Sequence, residues 1–207
     1  MKILHSIYVF VGTVLCRFAL IYWRLRDKIS PPETDSVLFV AHPDDDTLFF
    51  HTFIKEYKPY VCLMTTGWSL RRMPCFFKVM KQYGVRYRAY PLDSRDKRTQ
   101  LLEKHAAEVL ELADFKVIAT HNSTGEYGHE EHIRVHDAVC SAVQEKNRIL
   151  CPVCKESIIN YPLDKKAISE KQEIFKNLYV TETWVLTEQE AGTPVWVTHE
   201  KVEKLKE

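Results

Sequence analysis

Val37-Leu38-Phe39-Val40-Ala41-His42-Pro43-Asp44-Asp45-Asp46 is the stretch that decides the fold. Its four unbroken apolar residues suit a strand buried on both faces of a parallel sheet. They run directly into one imidazole and three carboxylates. In open α/β sheets, ligands bind beyond the carboxyl ends of the strands. Position alone therefore puts these polar groups where a site would form. The plainer reading is an acidic turn, with Asp45 or Asp46 as N-cap of a helix from Thr47.

Outward from this stretch, apolar strands alternate with helical spacing. Thr47 to Tyr57 carries Leu48, Phe49, Phe53 and Ile54 at helical intervals, and Tyr60 to Thr65 is a second apolar strand. Pro74 opens a helix that Gly84 ends. Val85 to Tyr90 reads as a third strand. Arg98 to Ala113 is an amphipathic helix, Lys116 to Thr120 a strand and His129 to Lys146 a helix. Past residue 150 the pattern weakens, leaving a helix over Asp164 to Asn177 and strands over Tyr179 to Leu186 and Pro194 to His199. The alternation predicts an α/β domain over 37–207. Its expected form is a three-layer, Rossmann-like, mostly parallel sheet with helices on both faces, preceded by an N-terminal apolar helix.

Composition narrows the function. The chain has 207 residues, 45% of them hydrophobic, which excludes disorder as its main state. Its 29 basic residues against 28 acidic give a net charge of +1, too little for a dedicated nucleic-acid binder. Only six glycines are present, with neither a G-x-G-x-x-G fingerprint nor a P-loop. The charge is uneven: Lys2, Arg17, Arg24 and Arg26 stand in the first 26 residues with no acid. Sixteen of the 21 residues from Ile3 to Trp23 are apolar. Residues 1–29 therefore read as a single-pass membrane anchor and 30–36, with Pro31 and Pro32, as a linker. The basic residues after the apolar run would leave the body of the chain facing the cytoplasm. The cysteines fit a reducing compartment, and Cys151-Pro152-Val153-Cys154 is a lone C-x-x-C read as structural or incidental.

The second polar stretch is His121-Asn122-Ser123-Thr124-Gly125-Glu126-Tyr127-Gly128-His129-Glu130-Glu131-His132-Ile133-Arg134-Val135-His136. It also follows an expected strand. His129, His132 and His136 fall at i, i+3 and i+7, which is one helical face. A single histidine there would be an ordinary core residue; three opening a helix at the sheet edge suit ligands, an acid–base group and their support. His136 is the least needed of the three. A catalytic zinc takes about three N/O ligands and keeps a position open. The histidines are three apart, so this is not the H-E-x-x-H of metalloproteases.

Together, A-H-P-D-D and G-E-Y-G-H-x-x-H resemble the PIG-L/LmbE-like zinc-dependent de-N-acetylases, related to N-acetylglucosaminyl-phosphatidylinositol de-N-acetylase. The resemblance runs from about Val37 to Val143. It implies His42, Asp45 and His132 as metal ligands and Asp44 as general base. His129 would stabilise the oxyanion or protonate the leaving amine, assisted by Tyr127. Glu131 stands where the family has an aspartate that orients this histidine. Asp46 replaces a glutamate that is not a ligand. Arg72 matches a substrate-contacting arginine, although the glutamate usual three residues later is missing. Either Asp93 or Asp96 matches a family aspartate, with Asp93 preferred. The cofactor implied is zinc, with iron as a substitute.

The function implied is removal of an N-acetyl group from an N-acetylglucosamine-containing glycoconjugate by metal-activated water. A membrane anchor would favour a lipid-linked sugar, with Trp68, Tyr127 and Trp184 as stacking surfaces. The rivals are an amidase or esterase acting on another small conjugate and a sugar-binding module without catalysis. His5, His51, His105 and His199 carry no assigned chemistry.

Overall fold

The computed structural model describes residues 14, 18, 32–66, 72–90, 92, 99–143, 163–180 and 182, with the backbone alone for 148–152 and 202–204. In chain order the elements are β1 (Ser36–Val40), α1 (Asp45–Tyr57), β2 (Tyr60–Leu63), α2 (Arg72–Tyr83), β3 (Tyr87–Ala89) and α3 (Thr99–Leu110). They continue with β4 (Val117–Ala119), α4 (Glu130–Ala142), β5 (Arg148–Pro152), α5 (Lys165–Asn177) and β6 (Val202–Lys204). The strands form one sheet in the order β3-β2-β1-β4-β5-β6. β1 to β5 run parallel, and β6 closes the edge antiparallel to β5.

β1 is central and fully buried, as its unbroken apolar run requires. Successive side chains point to opposite faces, so one strand feeds two cores. Leu38 and Val40 pack with Phe53 of α1, Phe76 and Val79 of α2 and Phe175 of α5. Val37 and Phe39 pack with Leu102, Ala106 and Val109 of α3 and Val135 and Val139 of α4. Helices therefore cover both faces. Each large apolar side chain buried this way contributes about 1.5–3 kcal/mol.

The connections from β1 turn one way to β2 and β3, and the chain later crosses to β4 on the other side. That reversal opens a crevice between the carboxyl ends of β1 and β4. Both polar stretches emerge there. A bridge joins them directly: the Ala41 amide donates to Nε2 of His121 at 3.0 Å.

Several boundaries shift. α2 starts at Arg72, so Pro74 lies within its first turn, where a missing N–H costs nothing. Gly84 ends it with φ 67°. β1 begins at Ser36, and the Asp35 carbonyl already accepts the Lys116 and Val117 amides, so the end of the expected linker belongs to the sheet. β5 was not foreseen. The strand expected from Tyr179 starts instead in a turn, and most of its remaining length, like Pro194 to His199, lies outside the described residues.

The single-pass membrane placement, with its cytoplasmic orientation, is corrected. Among the described residues no helix is long and apolar enough to cross a membrane. The longest described helices have 13 residues, about 20 Å against a hydrocarbon core of about 30 Å. Apart from Val14 and Phe18, residues 1–29 lie outside the described residues.

Candidate metal centre

The loop after β1 gives its three aspartates three different surroundings. Asp44 is the N-cap of α1, yet its side chain makes no capping bond; its carbonyl accepts the Thr47 and Leu48 amides. Its φ of 127° is one that non-glycine residues rarely adopt. Asp45 turns back, and its Oδ2 accepts the His42 amide at 2.7 Å. Asp46 is fully buried and accepts from Tyr179 Oη at 2.6 Å and Thr47 Oγ1 at 2.8 Å. Neither Asp45 nor Asp46 is thus the N-cap of the plainer reading.

The loop after β4 is built by Asn122. Its Oδ1 accepts from the Thr124 amide and hydroxyl and from the Glu126 amide. This tightens a helical turn, Gly125–Gly128, in which Gly125 and Glu126 both have positive φ, 66° and 58°. Gly125 has a second reason to lack a side chain: a Cβ would meet Ile133 at 3.0 Å. The turn folds Glu126 inward. One oxygen accepts the Asn122 amide at 3.0 Å; the other meets Nδ1 of His121 at 3.1 Å and Nδ1 of His132. Both imidazoles are fully buried and stack with ring centroids 3.9 Å apart.

Three atoms from the two loops converge. Nδ1 of His42 lies 3.3 Å from Oδ2 of Asp45 and 3.3 Å from Nε2 of His132, and the last two lie 3.4 Å apart. An ion holding N and O ligands at about 2.0–2.1 Å in tetrahedral geometry separates them by about 3.3–3.4 Å. The triangle is therefore of a size that a small cation held by N and O ligands would span. Two other triads also have ligand atoms within 4.8 Å of one another: His42, His129, His132 and Asp45, His121, His132. Each has a member whose lone pair is engaged. His121 Nε2 accepts from Ala41, and His129 Nδ1 accepts the Glu131 amide at 3.2 Å.

The charges call for a cation. Burial would raise Asp45, but the charge and the hydrogen bond of His132 beside it hold it well below the usual carboxylate range. Glu126 is likewise opposed by burial, yet His121 and His132 hold it at about 2. Burial works against a proton on His132, but Asp45 and Glu126 together push it up to about 10. Two buried carboxylates thus keep a positive charge at this point, where a metal ion would supply it instead.

Around the triangle, Asp44 is raised well above the usual range, first by burial and then by Asp45, with Arg72 opposing. Arg72 Nη1 lies 3.9 Å from Asp44 Oδ2, while Nε donates to Glu182 at 2.6 Å in a two-pronged pair. The glutamate that pairs with Arg72 thus comes from 110 residues away. His129 caps α4 and is lowered to about 4, by burial first and then by His132 and His42, so it is neutral at pH 7. With Nδ1 accepting, its proton sits on Nε2. Glu131 does not orient His129 through its carboxylate, which pairs with Arg134; its backbone amide does so. Tyr127 is 53% exposed, its ring 5.7 Å from those of His129 and His132. Asp93, Asp96, Trp68 and Trp184 lie outside the described residues.

Four contributors had no role assigned from the sequence: His121, Glu126, Glu182 and Tyr179. His121 and Glu126 lay inside a motif already marked, and burial is what separates them from ordinary loop residues. His136 is a support, its Nδ1 donating to the His121 carbonyl at 2.9 Å.

No family model and no curated protein sequence matches the chain. Among solved structures it is similar to GalB, the 4-carboxy-2-hydroxymuconate hydratase from Pseudomonas putida. The TM-score is 0.55 at 12% identity, over 83% of this chain and 96% of that one. It also matches the conserved protein TT1542 from Thermus thermophilus, with a TM-score of 0.49 at 13% identity, over 82% and 93% of the two chains. The likeness to GalB is one of fold alone.

Proposed function

We propose that the chain is a zinc-dependent hydrolase that removes the N-acetyl group from an N-acetylglucosamine-containing glycoconjugate. The observation that carries the reading is the triangle of His42 Nδ1, Asp45 Oδ2 and His132 Nε2, with edges of 3.3–3.4 Å, flanked by Asp44 and His129. His42, Asp45 and His132 would hold the ion. Two imidazoles and a carboxylate suit zinc, with iron as a substitute. Bound there, the ion would supply Lewis acidity, lowering the pKa of a water and polarising the amide carbonyl.

The remaining chemistry belongs to the chain. Asp44 takes the proton from the attacking water. Its raised proton affinity lets it keep that proton and hand it to the departing amine. His129 is neutral and carries its hydrogen on Nε2, so it serves as a hydrogen-bond donor to the oxyanion rather than as a charged acid. One such donor is typically worth about 3–4 kcal/mol. Glu126 fixes His132 with Nε2 free for the ion, in the carboxylate–histidine arrangement that orients metal ligands. Arg72, clamped by Glu182, lies 3.9 Å from Asp44.

The test is acetate release from a panel of lipid-linked and soluble N-acetylglucosamine conjugates by the purified, zinc-loaded chain. Release is expected to stop with chelator and return with zinc. Binding of the conjugates without acetate release would overturn the reading.

A further inference from the structure

Of the three acids in the first motif, Asp45 serves as a ligand and Asp44 as a base, which leaves Asp46 without a task. Its contacts supply one. Asp46 Oδ2 accepts the backbone amide of Asp44 at 3.3 Å and the hydroxyl of Tyr179 at 2.6 Å. Tyr179 is fully buried and sits just beyond α5, 133 residues along the chain. The other oxygen of Asp46 accepts from Thr47 Oγ1, which meets Tyr83 Oη at 3.1 Å; Tyr83 Oη in turn lies 2.7 Å from His51 Nδ1. His51 Nε2 reaches Glu170 of α5 at 3.2 Å. Asp46 is therefore gripped from both sides, by Tyr179 on one oxygen and by a chain through α1, α2 and α5 on the other.

What it grips is the amide of a residue at φ 127°. Such a conformation is strained and persists only where the surroundings over-determine it. Asp44 has no capping bond from its own side chain to hold it there. We propose that Asp46 and Tyr179 are positioning residues that lock the Asp44 backbone in its strained conformation and so aim its carboxylate between Arg72 and the metal triangle. The catalytic part of this inference rests on Asp44 being the base; the conformational part does not.

The experiment separates the two. Asp44→Gly and Asp44→Ala are made in the full-length chain, in the wild-type and the Tyr179→Phe backgrounds, and their melting temperatures compared. Both remove the carboxylate, so their difference reports the backbone alone. In the wild-type background the glycine variant is expected to melt higher, by about 2–4 °C, because glycine alone adopts this φ freely. In the Tyr179→Phe background the gap is expected to close or reverse, because the released backbone relaxes. An unchanged gap would overturn the proposal. With Asp44 intact, Tyr179→Phe is expected to lower kcat for acetate release about tenfold, with KM and zinc content unchanged. Loss of zinc, or a rise in KM alone, would overturn the positioning role. A wild-type chain that releases no acetate would overturn the proposed activity, and the melting comparison would still decide the lock.

Discussion

The two loops at the carboxyl ends of β1 and β4 face each other across one crevice but are held by opposite means. The first is short and locally constrained: the His42 and Asp44 amides are bound by the side chains of Asp45 and Asp46, three and two residues on. It holds backbone strain, at Asp44, to present an acid. The second is longer and held from below: the buried Glu126 takes Nδ1 of both His121 and His132. It presents imidazoles that are fully buried at His121 and His132 and half-covered at His129. The first loop brings His42 and three carboxylates to the crevice, and the second brings His129 and His132 over the floor made by Glu126 and His121. The ligand triangle draws on both loops, with His42 and Asp45 from the first and His132 from the second.

The sharpest way to break the comparison is to remove a ligand from the second loop. His132→Ala is expected to reduce bound zinc to background by metal analysis and to abolish acetate release. Asp44→Asn, in the first loop, is expected to keep its zinc and lower kcat by about a thousandfold, the range of a lost general base. Equal zinc loss in the two variants would show that the loops do not divide the work this way. Glu126→Gln tests the floor of the second loop. It is expected to weaken zinc affinity about 10–100-fold in a chelator competition while leaving the zinc-saturated kcat within severalfold.

The same residue gives a pH signature in the metal-free chain. Glu126 ionises at about 2 in the fold against about 4.5 when unfolded. Between those values the unfolded chain binds the extra proton, so stability is present above about pH 4.5 and is lost as pH falls toward 2. Melting curves of the metal-free wild type are expected to fall across this window, and those of Glu126→Gln to start lower and fall less. The smallest effect is expected from Glu131→Gln. Its backbone amide, not its carboxylate, holds His129. Its kcat is therefore expected to stay within about threefold, since the hydrogen bond that orients the imidazole survives. A loss of a hundredfold would restore an orienting role to that carboxylate.

Much of this was legible in the chain. Val37 to Val40 suited a buried parallel strand, because a strand covered on both faces carries apolar residues on both. The i, i+3 spacing of His129 and His132 put both at the start of one helix. Boundaries near Ser36 and Arg72 were less legible, since ends are set by hydrogen bonds to distant segments such as Asp35 to Lys116. The N-terminal apolar run suggested a membrane span, whereas no described helix has the length for one. Hydropathy counts side chains and says nothing of what surrounds them.

The sequence by itself determined the alternation of strands and helices as far as α4 and the two polar stretches at the strand ends. Those depend on periodicity and on neighbours a few residues apart, which the chain carries locally. Only the tertiary structure decided which groups work together. Glu182 joins Arg72, Tyr179 joins Asp46, and His121 takes the Ala41 amide instead of an ion, across separations of 110, 133 and 80 residues. A hydrogen bond is fixed by direction and distance in space, and linear spacing encodes neither once the chain has crossed the sheet.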